Sequence, residues 1–155
     1  MEIVIPGGKT LRIEHLVLDY NGTLAQDGEL LMGVTEKLTV LAKHLKVHVI
    51  TADTYGKVQE KLKDVPCALT IIGSEEQDRQ KSRYIEELGS GRVTAVGNGR
   101  NDVLMLQNAA LGICLIQGEG ASGVAIGAAD IVCTNILDAL DLLIRTARLQ
   151  ATLRN

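Results

Sequence analysis

The sequence lacks the residues that nucleic-acid and membrane-surface binding require. Its 155 residues include three Tyr but no Phe and no Trp, so there is no set of aromatic side chains on which nucleotide bases could stack. The formal net charge is −3 at pH 7, which provides no basic surface for a polyanion. Nucleic acid and anionic membranes are therefore not expected as partners.

Cysteine and histidine show none of the spacings that predict a disulfide framework or a zinc site. The cysteines lie far apart, with no CxxC pair, and are expected to be small core residues: Cys67, Cys114 and Cys133. The histidines also lack metal-binding spacing, and we expect them at the surface or at strand edges: His15, His44 and His48. The only metal chemistry left open by this composition is one based on oxygen ligands.

Long apolar runs are also missing. No run approaches the roughly 18 residues that a membrane-spanning helix needs. The N-terminus has no charged segment followed by an apolar stretch, as a secretion signal would have. The sequence therefore predicts a cytoplasmic protein, and its length predicts a single domain over residues 1–155 with a core of its own.

Strand-like and helix-like segments alternate along most of the chain. After a small N-terminal hairpin over residues 2–14, apolar runs predict strands at 15–18, 47–50, 68–72, 93–96, 111–116 and 130–133. Helices are predicted near 34–45, 54–63, 76–88, 101–108 and 136–147. Continuously apolar strands are buried on both faces. The pattern therefore predicts an α/β fold, a Rossmann-like three-layer sandwich with a central parallel sheet between helices.

Polar residues follow four of the predicted parallel strands, at the sheet edge where ligands of such folds bind. They are Asp19, Asn21, Gly22 and Thr23; then Thr51, Ala52 and Asp53; then Gly73 and Ser74, with Lys81 in the next helix; and finally Gly97-Asn98-Gly99-Arg100-Asn101-Asp102. A carboxylate nucleophile, a hydroxyl, an ammonium group and oxygen ligands would meet there. This inventory indicates phosphoryl transfer through an aspartyl-phosphate.

A divalent cation is expected at this site, because a carboxylate that attacks a phosphoryl group meets charge repulsion. Mg²⁺ prefers oxygen ligands. The predicted ligands are Asp19, the backbone carbonyl of Asn21, and the side chains of Asn98 and Asp102. The phosphate-binding residues are predicted to be Gly22, Thr51, Ala52, Lys81 and Asn101. The predicted catalytic residues are Asp19, Asn21, Thr51 and Lys81.

Each of these residues also has a structural alternative. Asp19 could cap a turn, and Thr51 could cap the helix that follows it, as could Asp53. Lys81 is flanked by Arg79 and Arg83 and could lie on a solvated helix face. Asn101 and Asp102 could cap the helix that they open.

Taken in order, the four polar segments resemble the four motifs of the haloacid dehalogenase (HAD) superfamily. The chain is most similar to its small soluble P-type-ATPase-like members. The resemblance implies a Rossmann-like fold, a Mg²⁺-dependent Asp19 nucleophile, a small phosphorylated substrate, and a flap at about residues 24–33. The segments between the motifs leave no room for an inserted cap domain, and capless members often cover their sites by oligomerising. A homodimer or homotetramer is therefore expected.

Two amides stand where the resemblance implies carboxylates. Asn21 occupies the place of the aspartic acid that protonates the leaving oxygen, a role that contributes roughly 10²–10⁴-fold to the rate. The ion pumps have Thr at that place. Asn98 occupies the place of a charged metal ligand. These differences predict a slow or specialised phosphohydrolase; the alternative is a HAD-fold binding or regulatory protein that has lost turnover.

One further segment fits a cofactor motif by its letters alone. Gly118-Glu119-Gly120-Ala121-Ser122-Gly123 matches GxGxxG. It follows the fifth predicted parallel strand instead of the first, and no acidic residue ends a further strand about 20 residues later. We interpret it as a tight turn beside the site and not as a dinucleotide-binding loop.

Overall fold

The computed structural model describes residues 1–52 and 57–155. Its strands are β1 (Glu2–Val4), β2 (Thr10–Arg12), β3 (His15–Leu18), β4 (Ala25–Gln26), β5 (Glu29–Leu30), β6 (Lys46–Thr51), β7 (Ala68–Ile71), β8 (Val93–Gly97), β9 (Leu111–Leu115) and β10 (Ile131–Cys133). Its helices are α1 (Val34–Leu41), α2 (Val58–Lys61), α3 (Gln77–Leu88), α4 (Val103–Asn108), α5 (Gly123–Ala128), α6 (Ile136–Ile144) and α7 (Thr146–Leu153). None of these helices is long and apolar enough to cross a membrane.

The central sheet is parallel, and its strand order is β10-β9-β8-β3-β6-β7. β3 lies in the interior of the sheet, where it pairs with β6 on one side and with β8 on the other. The chain builds outward from β3 to β7 and then returns to place β8 on the opposite side. Such a switch opens a crevice beyond the carboxyl ends of the strands. The predicted parallel sheet is confirmed, and so is the N-terminal hairpin, which β1 and β2 form as an antiparallel pair.

Alternating side chains of the strands pack into two apolar layers. Leu16 and Leu18 of β3 point into the layer that includes α1, α6 and α7, whereas Val17 points into the layer that includes α3, α4 and α5. The other interior strands divide in the same way between the two layers. Because both faces are covered by helices, the strands read as continuous apolar runs in the sequence.

The helices agree with the prediction in part, and one of them has the side-chain cap that its sequence predicts. The side chain of Asn135 caps α6, since its Oδ1 accepts a 2.8 Å hydrogen bond from the backbone N–H of Asp138. The predicted last helix is divided at Arg145 into α6 and α7, and α5 was not predicted in the glycine-rich segment. Of the helix predicted near 54–63, the structure contains α2, and residues 54–56 lie outside the described part, as does Asp53.

The flap predicted at about residues 24–33 contains the β4–β5 hairpin. Asp27 and Gly28 form its turn with φ values of 51° and 79°, the left-handed pair that a two-residue hairpin favours. The hydroxyl of Tyr20 donates a 3.0 Å hydrogen bond to the carbonyl oxygen of Gly28, which ties the tip of the hairpin to the residue after Asp19.

The expectation of surface or strand-edge histidines is wrong for two of the three. His15 and His48 are buried beneath α3, where His15 Nδ1 lies 3.0 Å from His48 Nε2. The other nitrogen of His48, Nδ1, lies 2.9 Å from the hydroxyl oxygen of Tyr84. Burial lowers the pKa of both histidines. Parallel pairing of β3 with β6 brings the rings together, a neighbour relation that spacing along the chain does not reveal.

Candidate active site

Asp19 is the first residue beyond β3, at the carboxyl edge of the sheet. Its backbone N–H donates to the carbonyl oxygen of Val96, so parallel pairing with β8 fixes where the side chain begins. The turn that follows depends on Gly22, whose φ is +75°. A Cβ atom at Gly22 would lie 2.3 Å from Nδ2 of Asn98. Only glycine therefore allows the first and the fourth polar segments to approach this closely.

Lys81 projects from α3 into the site, and its side chain is only 1% exposed. Its Nζ donates 2.6 Å hydrogen bonds to Oδ1 of Asp19 and to Oδ1 of Asp102. The solvated-face alternative is thereby excluded for Lys81, while its neighbour Arg79 does lie at the surface, paired with Glu76. Lys81 is thus a buried residue of a highly charged helix, and it joins two segments, those of Asp19 and Asp102, that lie far apart in the sequence.

Two carboxylates share this single ammonium group, which leaves one excess negative charge in a buried cluster. Burial, and then the charge of Asp102, raise the pKa of Asp19 to about 7, against the opposing effect of Lys81. For Lys81, burial alone would lower the pKa, but the carboxylates of Asp19 and Asp102 outweigh it and the pKa is raised. The side chain of Lys81 therefore stays charged. A further positive charge beside Asp19 would stabilise the ionised form of its carboxylate.

Asp102 uses both of its carboxylate oxygens within the protein. Oδ1 accepts from Lys81, and Oδ2 accepts from the backbone N–H groups of Asn98 and Gly99 at 2.9 and 2.8 Å. A Cβ atom at Gly97 would lie 2.5 Å from Cγ of Asp102, so this packing also requires glycine. Asp102 thus holds the loop after β8 and the ammonium of Lys81, and makes no side-chain capping bond to α4.

Asn98 is held in one orientation from several directions. Its Nδ2 donates a 3.0 Å hydrogen bond to the carbonyl oxygen of Gly120, and its Oδ1 accepts from the Thr23 hydroxyl at 3.4 Å. Its backbone carbonyl accepts from the N–H of Ser122 at 2.9 Å. The glycine-rich segment after β9 therefore positions Asn98, which agrees with its interpretation as a turn beside the site.

A cavity of about 160 Å³ opens in front of Asp19. Its lining combines six predicted site residues with two others: Asp19, Asn21, Thr51, Ala52, Gln77, Asn98, Gly99 and Asn101. Lys81 and Asp102 lie behind Asp19 and are not among the lining residues, and Gly22 acts through its close approach to Asn98. Asn101 faces the cavity with its Nδ2 bonded to Oε1 of Gln77 at 2.7 Å.

The oxygen atoms around this cavity suit a hard divalent cation of modest affinity. Oδ1 of Asn21 is buried and has no hydrogen-bond partner within residues 1–52 and 57–155. Oδ1 of Asp19 is engaged by Lys81, and Asp19 and Asn98 both line the cavity. The described residues contain no cluster of three or more His, Cys, Asp or Glu able to hold a metal. A cation would thus depend on Asp19, on amide or carbonyl oxygens, and on water.

A second, more open cavity of about 390 Å³ adjoins the first. The two share Gln77 and Asn101, whose hydrogen bond forms the boundary between them. The remaining residues around the second cavity are polar: Ser74, Glu76, Asp78 and Arg100. The pair of cavities therefore offers a small polar compartment at Asp19 and a wider polar compartment beside it.

Sequence patterns missed two residues that build this site, Gln77 and Gln117. Gln77 borders both cavities, and Thr23, which the strand-end pattern places at this edge, contacts Asn98 through its buried hydroxyl. Gln117 follows β9, and its Nε2 donates to the carbonyl oxygens of Gly22 and Thr23 at 3.1 and 2.9 Å. Glu119, two residues later, accepts a 3.0 Å hydrogen bond from the backbone N–H of Asp27 in the flap. Applying the strand-end rule to β9 would have found Gln117.

Comparison with known proteins places the chain beside two archaeal sequences. No protein-family model matches it. It is 48% identical over 79 residues to the uncharacterized protein MJ0073 of Methanocaldococcus jannaschii, a match that covers 48% of this chain and 85% of that protein. It is 44% identical over 39 residues to the uncharacterized protein MJ0072 of the same organism, covering 25% of this chain and 89% of that protein.

Solved structures show the same fold at low sequence identity. The cobalt-bound deoxy-D-mannose-octulosonate 8-phosphate phosphatase of Haemophilus influenzae superposes with a TM-score of 0.72 at 13% identity, over 86% of this chain and 88% of that one. The Moraxella catarrhalis 3-deoxy-D-manno-octulosonate 8-phosphate phosphatase, in complex with magnesium, phosphate and KDO, gives 0.72 at 15% identity, over 86% of each chain. A HAD-superfamily phosphatase of Bacteroides thetaiotaomicron gives 0.62 at 14% identity, over 96% and 98%. The chain thus belongs to the family of M. jannaschii MJ0073, and its fold is that of the HAD superfamily phosphatases.

Proposed function

We propose that this protein is a Mg²⁺-dependent phosphohydrolase that transfers a phosphoryl group to Asp19. One observation carries the proposal: a carboxylate at the carboxyl edge of the sheet lines a small polar cavity and is held from behind by a buried lysine. An exposed carboxylate at a strand end would have no need of Lys81. The ammonium group favours the ionised form of Asp19 against the larger opposing effect of burial, and it fixes the carboxylate for attack on a phosphorus atom.

The remaining lining residues would bind the phosphoryl group. Thr51 and Asn101 carry polar side chains at the cavity, and Ala52 lines it with its backbone, whereas the N–H of Gly22 already donates to the carbonyl oxygen of Ala25, so Gly22 would act by shaping the turn. Lys81 acts through Asp19 and through the overall charge of the cluster. Preorganised donors of this kind stabilise the charge that develops in the transition state.

The cation would be held by Asp19, by oxygens of Asn21 and by the amide oxygen of Asn98. Asp102 would contribute through Lys81 and through the loop that carries Asn98. When bound, the cation supplies the positive charge that offsets repulsion between a carboxylate and a phosphoryl group. Two structural neighbours, one crystallised with cobalt and one with magnesium, support a divalent metal in a protein of this fold.

The substrate is a small phosphorylated molecule whose remaining part lies in the second cavity. Gln77 lies between the two compartments, where its Oε1 accepts from Asn101 and its Nε2 donates to the carbonyl oxygen of Ser74. Replacing Gln77 by Ala should raise KM several-fold with little change in kcat, because it removes contacts made before and during the reaction alike. A fall in kcat at unchanged KM would contradict this placement.

We also propose that residues 1–155 form one capless domain of the P-type-ATPase-like subgroup, located in the cytoplasm, and that copies associate as dimers or tetramers. Between Asp19 and Thr51 the chain forms the flap hairpin and α1. Light scattering at micromolar concentration should report a dimer or a tetramer; a monomer would contradict association.

The decisive experiment compares Asp19→Asn with Asp64→Asn, the same change at an exposed aspartate remote from the site. With Mg²⁺ and a generic phosphate ester or anhydride, Asp19→Asn should lose turnover entirely and Asp64→Asn should keep it. Mass spectrometry of wild-type protein quenched in acid should find one phosphoryl group on Asp19. Mg²⁺-dependent turnover by Asp19→Asn would rule out the mechanism.

A second candidate, a regulatory protein that binds a phosphorylated ligand without turnover, is favoured by the two amides Asn21 and Asn98. Beryllium fluoride, a phosphoryl mimic, separates the candidates when its effect on thermal unfolding is measured with Mg²⁺. Stabilisation of wild type but not of Asp19→Asn, together with turnover, supports the enzyme. Stabilisation without turnover indicates a stalled aspartyl-phosphate, and the absence of both effects supports the binding protein.

A further inference from the structure

The cavity at Asp19 contains almost no group that can exchange a proton. Of its eight described lining residues, Asp19 alone is titratable in the neutral range, and it is the proposed nucleophile. The others are amides, a hydroxyl, an alanine and a glycine. An amide neither gains nor loses a proton near pH 7. Among the described residues, the cavity therefore has no lining side chain that could protonate a leaving group.

The two charged groups beside Asp19 are held away from the cavity, and Glu76 and Asp78 line the adjoining cavity, where Glu76 pairs with Arg79 and Asp78 accepts from the backbone N–H of Arg79. Lys81 is 1% exposed and Asp102 is fully buried, and the two are bonded to each other and to the protein around them. Neither is among the cavity's lining residues. Both are therefore committed to positioning Asp19 and the loop after β8, and neither faces the bond that would break.

Asn21 presents a hydrogen-bond acceptor at the place where a general acid would be needed to protonate a leaving group. Its Oδ1 is buried at the cavity wall with no hydrogen-bond partner in the described part of the chain. This oxygen can receive a hydrogen bond but cannot supply a proton. The residues that line the cavity thus favour substrates whose leaving group needs no proton during phosphoryl transfer to Asp19.

Whether the missing proton donor slows phosphoryl transfer depends on the leaving group. As an oxygen of Asp19 bonds to phosphorus, the bond from phosphorus to the bridging oxygen breaks, and that oxygen leaves with both electrons. An alkoxide is too basic to leave readily unless it is protonated, whereas a carboxylate or a phosphate leaves as a stable anion. General acid catalysis is worth roughly 10²–10⁴-fold, and its absence slows the reaction most for the most basic leaving groups, the alkoxides.

We propose, on the basis of the proposed phosphoryl transfer to Asp19, that the substrate is an activated phosphate, either an acyl phosphate or a phosphoanhydride, and not an alkyl phosphate ester. The transfer step then balances without a proton from the protein: the phosphoryl group moves to Asp19, and the carboxylate or phosphate anion departs into the adjoining cavity. The amide of Asn21 then suits the substrate, because an activated phosphate needs no proton donor at this position.

The test measures how strongly phosphoryl transfer depends on leaving-group basicity. With Mg²⁺ present, wild-type protein is given a series of aryl phosphates of graded phenol acidity, together with acetyl phosphate and glycerol phosphate. The readout is the first-order rate at which Asp19 acquires the phosphoryl group in a single turnover. We expect the rate to fall steadily as the leaving group becomes more basic, and glycerol phosphate to react at least 100-fold more slowly than acetyl phosphate, about the size of the missing acid catalysis.

Acyl phosphates are intrinsically reactive, so the deciding comparison is with Asn21→Asp. This variant places a proton donor at the cavity and should flatten the aryl series, so that the ratio of the glycerol phosphate rate to the acetyl phosphate rate rises by at least about tenfold. Asn155→Asp, which makes the same change at the exposed C-terminus, should behave as wild type. If Asn21→Asp does not fold, a flat series in wild-type protein would still overturn the inference.

Other outcomes separate this inference from the function on which it rests. Similar rates for alkyl and acyl phosphates would overturn the substrate class while leaving Asp19 as nucleophile. A steep series that appears only in Asp53→Asn would also overturn it, because Asp53, outside the described residues, would then be the acid. If no phosphate of the series labels Asp19, the phosphohydrolase proposal itself is wrong.

Discussion

The side-chain amide of Asn98 donates a 3.0 Å hydrogen bond to the carbonyl oxygen of Gly120. An aspartate at position 98 could not make this bond, and its carboxylate would face a carbonyl oxygen at the same distance. Asn98 is therefore fitted to its surroundings and is more than a metal ligand that has lost its charge. The glycine-rich segment supplies an acceptor that only an amide can use.

We predict that Asn98→Asp lowers stability without metal and increases the stabilisation that Mg²⁺ provides. The lost hydrogen bond and the new repulsion should cost roughly 1–3 kcal/mol in EDTA. The added charge should strengthen cation binding. Thermal unfolding with and without Mg²⁺ measures both effects. Asn155→Asp is the matched control, since its amide also donates to a backbone carbonyl, that of Gly7, but at the surface. Equal Mg²⁺ shifts in Asn98→Asp and wild type would contradict the prediction.

Lys81→Met should be among the most damaging single substitutions in the chain. It leaves two carboxylates, Asp19 and Asp102, buried without their shared ammonium group. Removing one partner of a buried ion pair typically costs roughly 3–5 kcal/mol. Urea unfolding gives the magnitude, and Arg83→Met, at an exposed position of the same helix, should change it little. Adding Asp19→Asn to Lys81→Met should restore part of the loss; a further loss would argue against the shared charge.

Metal-free Asp19→Asn should be more stable than wild type above neutral pH. In the folded protein the pKa of Asp19 is raised from 3.8 to about 7, so between these values the folded state holds a proton that the unfolded state releases. Stability therefore falls as pH rises through this window, by up to roughly 4 kcal/mol for this group.

Urea unfolding in EDTA at pH 4 and pH 8 tests this pH dependence. Asp19→Asn should match wild type at pH 4 and exceed it at pH 8, while Asp64→Asn should follow wild type at both. Equal stability of Asp19→Asn and wild type at pH 8 would show that the carboxylate is not destabilised by its surroundings.

The buried histidine pair should make the protein sensitive to acid. Burial lowers the pKa of His15 and His48, so the folded state keeps both rings neutral while the unfolded chain takes up protons below its ordinary value of 6.5. This contribution is complete above pH 6.5 and is lost as pH falls below it. His48→Gln should reduce the loss of stability between pH 7.5 and 5.5, whereas His44→Gln, at an exposed position, should leave it as in wild type. An unchanged loss in His48→Gln would mean that other groups cause it.

The sequence was most informative about the strand ends. Asp19, Thr51 and Asn98 lie at the carboxyl edge of the sheet because apolar runs locate the strands and parallel strands present their ends together. The burial of Lys81 could not be predicted in the same way. Residues 78, 79, 81 and 83 of α3 are all charged, and only packing against the sheet determines which one is buried.

Contacts between distant segments were harder still. The pair His15 and His48 depends on which strands are neighbours, and the Asn98 to Gly120 bond depends on a turn that folds back from beyond β9. The same turn misleads when its letters are read as GxGxxG. Its glycine at position 118 lies against the flap, since a Cβ there would lie 2.2 Å from Oε1 at the end of the exposed side chain of Gln26.

Residues 117–122 contact the flap at one end of the site and the loop after β8 at the other. Glu119 holds the backbone of Asp27, Gln117 holds the carbonyls of Gly22 and Thr23, and Gly120 with Ser122 holds Asn98. A displacement of the flap therefore acts on the same short segment that positions Asn98. The flap and the Asn98 wall of the cavity thus share one support, although residues 27 and 98 lie far apart in the sequence.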